Sequence, residues 1–351
     1  MNCSRSSRTD SLSTLLEIPV HTTLALRHAV HAFCATGAIL LPASGAHALD
    51  IALTNDDGWS SRGVQAMKAA LVDAGHRVTL AAPLNEQSGS SAAINTGGLL
   101  IRKERDDDGA LEFSVAVTGG TDGAEPATSS LLAIDIARQR SGHLPDLLVS
   151  GINSGANIGA FTQISGTVGA AIVAMSSTFN GAVPAVAIST DAICSASTPE
   201  CNTANDEHFA RVARFTVNLI AQLEQKVGPL AKETGLLPQG LGLNINYPPI
   251  EVPVGVRISQ QGRTAAFGGA TSTLKIGCYG PCASAPVGAA IPGGITGIAA
   301  DDTAEVRNAD TTAFLQGYVT IVPIEANYTA DPAERLNAAL NLKSLLTDIA
   351  N

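Results

Sequence analysis

From residue 49 onward, the apolar positions alternate between two rhythms. Leu49 to Leu53 is a short run of strand character. From Gly63 to Ala74 the apolar residues Val64, Met67, Ala70, Leu71 and Ala74 recur at helical spacing, and Gly75 supplies the stop. Arg77 to Ala82 reads as a second strand. Gly98 to Glu104 and Leu111 to Thr118 flank Asp106-Asp107-Asp108-Gly109, the pattern of a hairpin with a solvated acidic tip. Pro126 opens a helix ending near Arg140, and Asp146 to Val149 is a short buried parallel strand. Val168 to Met175 forms a helix of small residues, followed by a strand from Val183 to Ser189. The helix from Asp206 to Val227 carries Phe209, Val212, Leu219, Ile220 and Leu223 on one face. Gly242 to Asn246, Val256 to Gln260 and Gly317 to Ile324 read as strands, and Pro332 to Ile349 as a terminal helix. Arg263 to Ala313 is rich in Gly, Ala, Thr and Pro without periodicity, and reads as an extended arm with a disulfide-closed loop. The alternation predicts an α/β fold: a Rossmann-like, three-layer, doubly wound and mostly parallel sheet with a C-terminal extension.

The first 48 residues follow a different logic. Arg5, Arg8 and Arg27 precede an uncharged, mostly apolar segment from Ala29 to Ala43, and Ala46-His47-Ala48 has the small-x-small pattern of a cleavage site. This predicts a signal peptide cleaved after Ala48, with export to the periplasm or beyond. The segment is short for a membrane span and contains Pro42. The expected organisation is a leader over 1–48, a catalytic core over 49–262, and an arm, strand and helix over 263–351 that complete the same domain.

Charge and cysteine usage agree with that context. The formal net charge is -10, and removing three Arg with Asp10 and Glu17 moves it to -11. Binding a nucleic-acid polymer requires basic patches, so this balance argues against one. Cys3 and Cys34 leave with the leader. The remaining cysteines form two close pairs in polar loops, Cys194 with Cys201 and Cys278 with Cys282. Local disulfides are the preferred connectivity, and zinc is the rival, although the spacings are not of the C-x-x-C type.

Two stretches carry candidate chemistry. Asn55-Asp56-Asp57-Gly58 follows the first strand, so two carboxylates stand at a carboxyl-terminal sheet edge, where open α/β sheets bind ligands. Adjacent anions repel, and either a bound hard cation or wide exposure to water keeps both ionised. The competing role is a helix cap beside a solvated neighbour. Pro83 to Ser91, after the second strand, offers hydroxyls and flexible amides. Ser150-Gly151-Ile152-Asn153-Ser154-Gly155-Ala156-Asn157 reads as a loop suited to a metal and an oxyanion, and Ser165-Gly166-Thr167 opens a helix whose N-terminus can cradle phosphate.

Taken in order, Thr54-Asn55-Asp56-Asp57-Gly58, Ala82-Pro83 through Asn85, Ser88 and Gly89, Ser150-Gly151-Ile152-Asn153 through Gly155 and Asn157, and Ser165-Gly166-Thr167 resemble the SurE survival-protein family. The resemblance covers about residues 49 to 248, including Leu243-Asn244-Ile245-Asn246. It implies a Rossmann-like fold and a metal-dependent 5′/3′-nucleotidase or phosphomonoesterase. Carried over by position, it implies metal ligands at Asp56, Asp57, Ser88 and Asn153. It also implies a phosphate-contacting region at Asn157, Ser165, Gly166 and Thr167, and exchange of C-terminal elements in a homodimer or homotetramer. The chain departs from the family at Arg62, commonly Pro, and over Gly120 to Ala127, which is altered and longer. Both departures bear on substrate preference.

Oxygen ligands from Asp, Ser and Asn suit one magnesium or manganese ion rather than zinc. Such an ion can polarise a phosphate monoester and lower the pKa of water, with Asp56 or Asp57 as the candidate base. Other chemistries lack their residues. Only His76, His143 and His208 lie beyond the leader, and none is in a signature stretch; His76 reads as structural. No G-x-S-x-G elbow and no G-x-G-x-x-G after the first strand occur, and Ala52 stands where a haloacid-dehalogenase-like enzyme needs Asp. The expected substrate is a nucleoside monophosphate. The alternatives are a non-catalytic periplasmic ligand-binding protein and a broad-specificity exported phosphatase acting on sugar phosphates.

Overall fold

The apolar run that begins at Leu49 becomes the central strand of a mixed sheet. A computed structural model describes residues 48–180, 182–226, 235–267, 270–300, 305–327 and 335. Its elements are β1 (Asp50–Thr54), α1 (Arg62–Asp73), β2 (Arg77–Pro83), β3 (Leu99–Asp107), β4 (Ala110–Val117), α2 (Pro126–Ser141), β5 (Leu147–Ser154) and α3 (Gly166–Met175). They continue with β6 (Ala185–Thr190), α4 (Pro199–Lys226), β7 (Leu241–Tyr247), β8 (Gly255–Ile258), β9 (Ala265–Phe267), β10 (Ala270–Cys278), β11 (Gly293–Ala300), α5 (Asp310–Leu315) and β12 (Tyr318–Glu325). The expected leader and the expected helix from Pro332 to Ile349 lie outside the described residues, apart from Ala48 and position 335.

Nine strands pair in the order β3-β4-β2-β1-β5-β6-β7-β12-β8. From β4 to β7 the pairs are parallel; β3 with β4 and β7 with β12 are antiparallel. The chain winds outward from β1 in both directions, which leaves a crevice beyond the carboxyl ends of β1 and β5.

Burial on both faces explains why the central strands read as continuous apolar runs. The two faces are unlike. Ile51, Leu53, Leu80, Val149 and Ile188 pack with Met67 and Leu71 of α1 and with Val212 and Ile220 of α4. On the other face Ala52, Ala81, Ala185 and Ala187 meet Ile134 of α2 and Val168, Ala171 and Ala174 of α3. Small residues on the second face let α3 approach the sheet closely. α3 also lies close to the loop after β2, since a Cβ at Gly169 would stand 2.1 Å from the Ser91 carbonyl oxygen.

The structure departs furthest from the sequence reading in three places. β5 continues through Ser154 instead of ending at Val149, because Asn153 and Ser154 pair with Ser189 and Thr190 after a register irregularity. α4 begins at Pro199, not Asp206; its first turns are polar and carry no apolar stripe, but Cys201 there is buried and joined to Cys194. The unpatterned arm contains a three-stranded antiparallel sheet, β11-β10-β9, and then α5. Its strands escaped detection because no core enforces alternation: Ile276, Ile295 and Ile298 are exposed. The second disulfide, Cys278 with Cys282, closes the loop after β10, so both cysteine pairs are as expected.

α1 lies against β5 through Gly63, where a Cβ would come within 2.0 Å of the Ile152 carbonyl oxygen. Gly63→Ala must push the helix off the strand that carries Asn153. It should destabilise the protein by about 3 kcal/mol, read as a lower urea midpoint at unchanged slope.

Candidate active site

Asn55, the first residue after β1, is buried and shapes the turn that follows. Its side-chain amide donates to the Gly58 carbonyl at 3.1 Å and to Ser61 Oγ at 2.7 Å. Gly58 takes a φ of 98°, in the left-handed region that L side chains rarely adopt. The turn is stapled to the loop after β2, since the Trp59 N–H donates to the Pro83 carbonyl and the Gln87 N–H to the Asp56 carbonyl. Asn85 continues the staple, accepting the Gly123 N–H at 2.6 Å and donating to the Thr121 carbonyl. This ties the Gly120 to Ala127 segment to the same edge. Arg62 pairs on the surface with Asp206 of α4 at 2.7 Å.

Leaving strand geometry after Thr54 gives the two carboxylates different tasks. Asp56 is buried and accepts the Thr167 hydroxyl at 2.6 Å and the Thr167 N–H at 3.1 Å. Burial raises its pKa, the two bonds from Thr167 oppose that shift, and Glu86 adds to it. Asp57 accepts the Ser154 N–H at 2.9 Å, joining the end of β1 to the end of β5. Burial first, then the neighbouring Asp56 charge, push Asp57 up to about 7.

Asn153 stands on the neighbouring strand. The bulge that presents it uses Gly151, with a φ of 130°, and the Gly151–Ile152 peptide is cis. Its side-chain amide donates to the Gly155 carbonyl at 2.6 Å, which leaves its oxygen, Oδ1, buried without a hydrogen-bond partner. A buried amide oxygen left bare is costly unless a cation or donor meets it. Asp56, Ser88, Asn153 and Ser165 line one cavity of about 350 Å³. Larger clefts of about 640 and 490 Å³, around Gly240, contain no adjacent carboxylates. Of the expected ligands, Asp56, Ser88 and Asn153 share this cavity, while Asp57 is not part of its lining and stands beside it against Ser154. A carboxylate, a hydroxyl and a bare amide oxygen fit a hard divalent cation.

The remaining expected residues are present but partly committed elsewhere. The Ser165 hydroxyl caps α3 by accepting the Val168 N–H at 3.1 Å, and Thr167 is occupied with Asp56. Asn157 lines the cavity, yet its amide donates inward to Ser189 Oγ at 2.8 Å. Its backbone is held from β7: Asn246 accepts the Asn157 N–H at 2.7 Å and the Asn244 amide donates to the Asn157 carbonyl at 2.8 Å. Sequence reasoning placed Leu243-Asn244-Ile245-Asn246 in the pattern without a role; its role is this support. Asp191, on the cavity wall after β6, was missed and accepts the Ala156 N–H at 2.7 Å.

The histidines stay structural. His76 accepts the Leu49 N–H at its Nδ1. His208, buried beside Thr190, is lowered to about 4 by burial and by Arg211, and is neutral at pH 7.

These features define a doubly wound α/β protein whose switch-point cleft suits a cation and an oxyanion together. The family model "Survival protein SurE" matches residues 51–267, and the chain belongs to the SurE family. A "5'-nucleotidase SurE" of Actinobacillus pleuropneumoniae serotype 5b (strain L20) is 30% identical over 285 residues, covering 80% of this chain and 96% of that protein. One of Symbiobacterium thermophilum is 37% identical over 216 residues, covering 61% and 72% respectively. The crystal structure of SurE from Aquifex aeolicus matches the fold with a TM-score of 0.57 at 24% identity, over 84% of this chain and 99% of that one.

Without a cation, Asp57 is a liability above neutrality. Its folded pKa of about 7 exceeds the ordinary 3.8, so the folded state binds more protons than the unfolded state between those values. Stability is therefore lost as pH rises through that window. Asp57→Asn should stabilise the cation-free protein on the order of 2 kcal/mol at pH 8, and the gain should shrink below pH 7. Thermal melts in EDTA across pH 5 to 8 would show it; a gain independent of pH would refute the assignment.

Proposed function

We propose that this chain is an exported, divalent-metal-dependent phosphomonoesterase that releases phosphate from nucleoside 5′/3′-monophosphates. The observation that carries the reading is the bare, buried Asn153 oxygen on a cavity shared with Asp56 and Ser88. Asp56, Asp57, Ser88 and Asn153 would hold one magnesium or manganese ion. Such an ion polarises phosphoryl oxygens and lowers the pKa of water. Family membership and relatives named 5'-nucleotidases support the substrate class.

The protein's own groups divide the remaining work. Asp56 is fixed through both oxygens by Thr167, and so serves as the rigid ligand. Asp57 has one oxygen held by Ser154 and the other available to take the proton of the attacking water. The Thr167 hydroxyl is spent on Asp56, but Ser165 Oγ only accepts the Val168 N–H, so the phosphate meets the N-terminus of α3 through the Ser165 O–H and the Gly166 N–H, where the partial positive charge of the helix end favours an anion. Asn157 contributes by shaping the loop over the phosphate.

Export rests on the leader pattern, with cleavage after Ala48, and on the two disulfides. No helix among the described residues is long and apolar enough to cross a membrane. Oligomer contacts are assigned to the segment after residue 262, where Ile276 and Ile295 pair in register with both side chains exposed.

Phosphate release from nucleoside monophosphates by residues 49–351 should vanish in EDTA and return with magnesium or manganese. Asp56→Asn should lower kcat at least 100-fold while the fold persists by circular dichroism. Folded protein inactive with every cation would favour the non-catalytic binding reading, and a higher kcat/KM on sugar phosphates than on nucleotides would favour the broad phosphatase. N-terminal sequencing of exported material should begin at Leu49; retention of residues before Ala43 would refute cleavage.

A further inference from the structure

The cavity has a polar half and an apolar half, and the apolar half belongs to a segment with its own support. Between β5 and α3 the chain makes a 3₁₀ turn, Gly159–Gln163. Ile158, Phe161 and Ile164 from this turn and its flanks line the cavity that also holds Asp56 and Asn153. Ile164 is 54% exposed, an unusual position for a large apolar side chain on a polar cleft. Phosphate chemistry uses none of these three residues.

The turn is held from the far end of the sequence. Asp310, the first residue of α5, is fully buried, and its carboxylate accepts N–H groups from Gly159 at 3.1 Å, Gly262 at 2.8 Å and Thr311 at 2.8 Å. The Gln261 side chain donates to the Gly159 carbonyl at 3.0 Å, and the Ala160 N–H donates to the Thr264 carbonyl at 3.0 Å. Gly159 adopts a φ of 54°, and a Cβ there would stand 1.9 Å from the Thr264 carbonyl oxygen. Burial, opposed by those three N–H donors and assisted by Glu305, places Asp310 at about 6, so the anion the cradle requires is present at pH 7. A buried anion bonded to three backbone amides fixes all three segments together, because moving any one leaves charge unpaired in a dry site.

We propose that the Gly159–Gln163 turn with Ile164 is the subsite for the leaving nucleoside, and that Asp310 is the positioning residue that holds this turn over the cleft. The inference rests on the phosphomonoesterase reading and adds to it where the apolar, aromatic part of the substrate sits. A planar base offers a π-face to Phe161 and apolar area to Ile164, whereas a small ester such as glycerol phosphate reaches only the polar half.

The test compares kcat/KM for adenosine 5′-monophosphate with that for glycerol 3-phosphate, using wild type, Asp310→Asn, Phe161→Ala and Ile164→Ala, all with magnesium. Each substitution should lower the ratio of the two at least tenfold, chiefly through a higher KM for the nucleotide. Hydrogen exchange adds a readout independent of turnover: Asp310→Asn should speed exchange at Ala160 and Phe161 at least tenfold while Ile51 to Leu53 stay protected. If Asp310→Asn does not fold, the Phe161 and Ile164 variants decide the subsite. An unchanged ratio in those two variants overturns the proposal while leaving the phosphomonoesterase reading intact. Equal loss on both substrates in Asp310→Asn overturns the positioning role. Wild type inactive on both substrates overturns the underlying reading, and the subsite with it.

Discussion

The hydrogen bonds from Thr167 to Asp56 are the constraint on which the rest of this structure depends. An anion buried next to a second anion is unfavourable, and the protein offsets it by bringing the N-terminus of α3 onto the Asp56 carboxylate. That contact requires α3 to lie close to β1, and closeness requires small residues. A Cβ at Gly166 would meet Asp56 Oδ2 at 3.0 Å, and the sheet face beneath is largely alanine. The small residues of this layer are what allow α3 to reach that carboxylate.

The opposite layer has the complementary task. Leu, Ile, Val and Met fill the space between the sheet and α1 with α4, and supply most of the apolar burial that stabilises the fold. Among its inserted polar groups, Glu112 is fully buried and pairs with Lys68 at 2.5 Å. Burial raises the Glu112 pKa, but hydrogen bonds from Lys68 and Gln65 with the Lys68 and Arg105 charges outweigh it, so its pKa lies below the ordinary value. One layer is built for volume and the other for approach, and the site lies where the second layer meets the sheet edge.

Support for the site comes from distant sequence. Asn244 and Asn246 on β7 fix Asn157, Asp191 after β6 fixes Ala156, and Asp310 at α5 fixes Gly159. All four are polar side chains bonded to backbone groups of the segment from 156 to 159. Burial of that segment would otherwise strand its N–H and carbonyl groups. Glu305 makes a parallel set of bonds, accepting from Thr264, Thr311 and the Arg263 and Val306 N–H groups. Burial opposes its charge, but these bonds hold its pKa down at about 2.

By itself, the sequence determined the element order through β7, the parallel core and the order of the motifs. Strands buried on both faces and helices buried on one leave periodicities that survive without coordinates. It favoured the cysteine pairs through their short separations in polar loops, with zinc as the rival, and the structure shows both as disulfides. Only the tertiary structure decided that Ser150 to Ser154 is strand, since the register with β6 is a pairing between distant residues. It alone separated the roles of Asp56 and Asp57, which are equivalent in sequence and differ because Thr167 reaches one and Ser154 the other. The strands β10 and β11 were invisible for the converse reason: apart from Thr271 and Ser272, their described side chains are exposed or half-buried and carry no alternating pattern to read. Asp310 was invisible as well, for a lone aspartate after an unpatterned stretch acquires meaning only when backbone amides from two distant segments, at Gly159 and Gly262, converge on it beside that of Thr311.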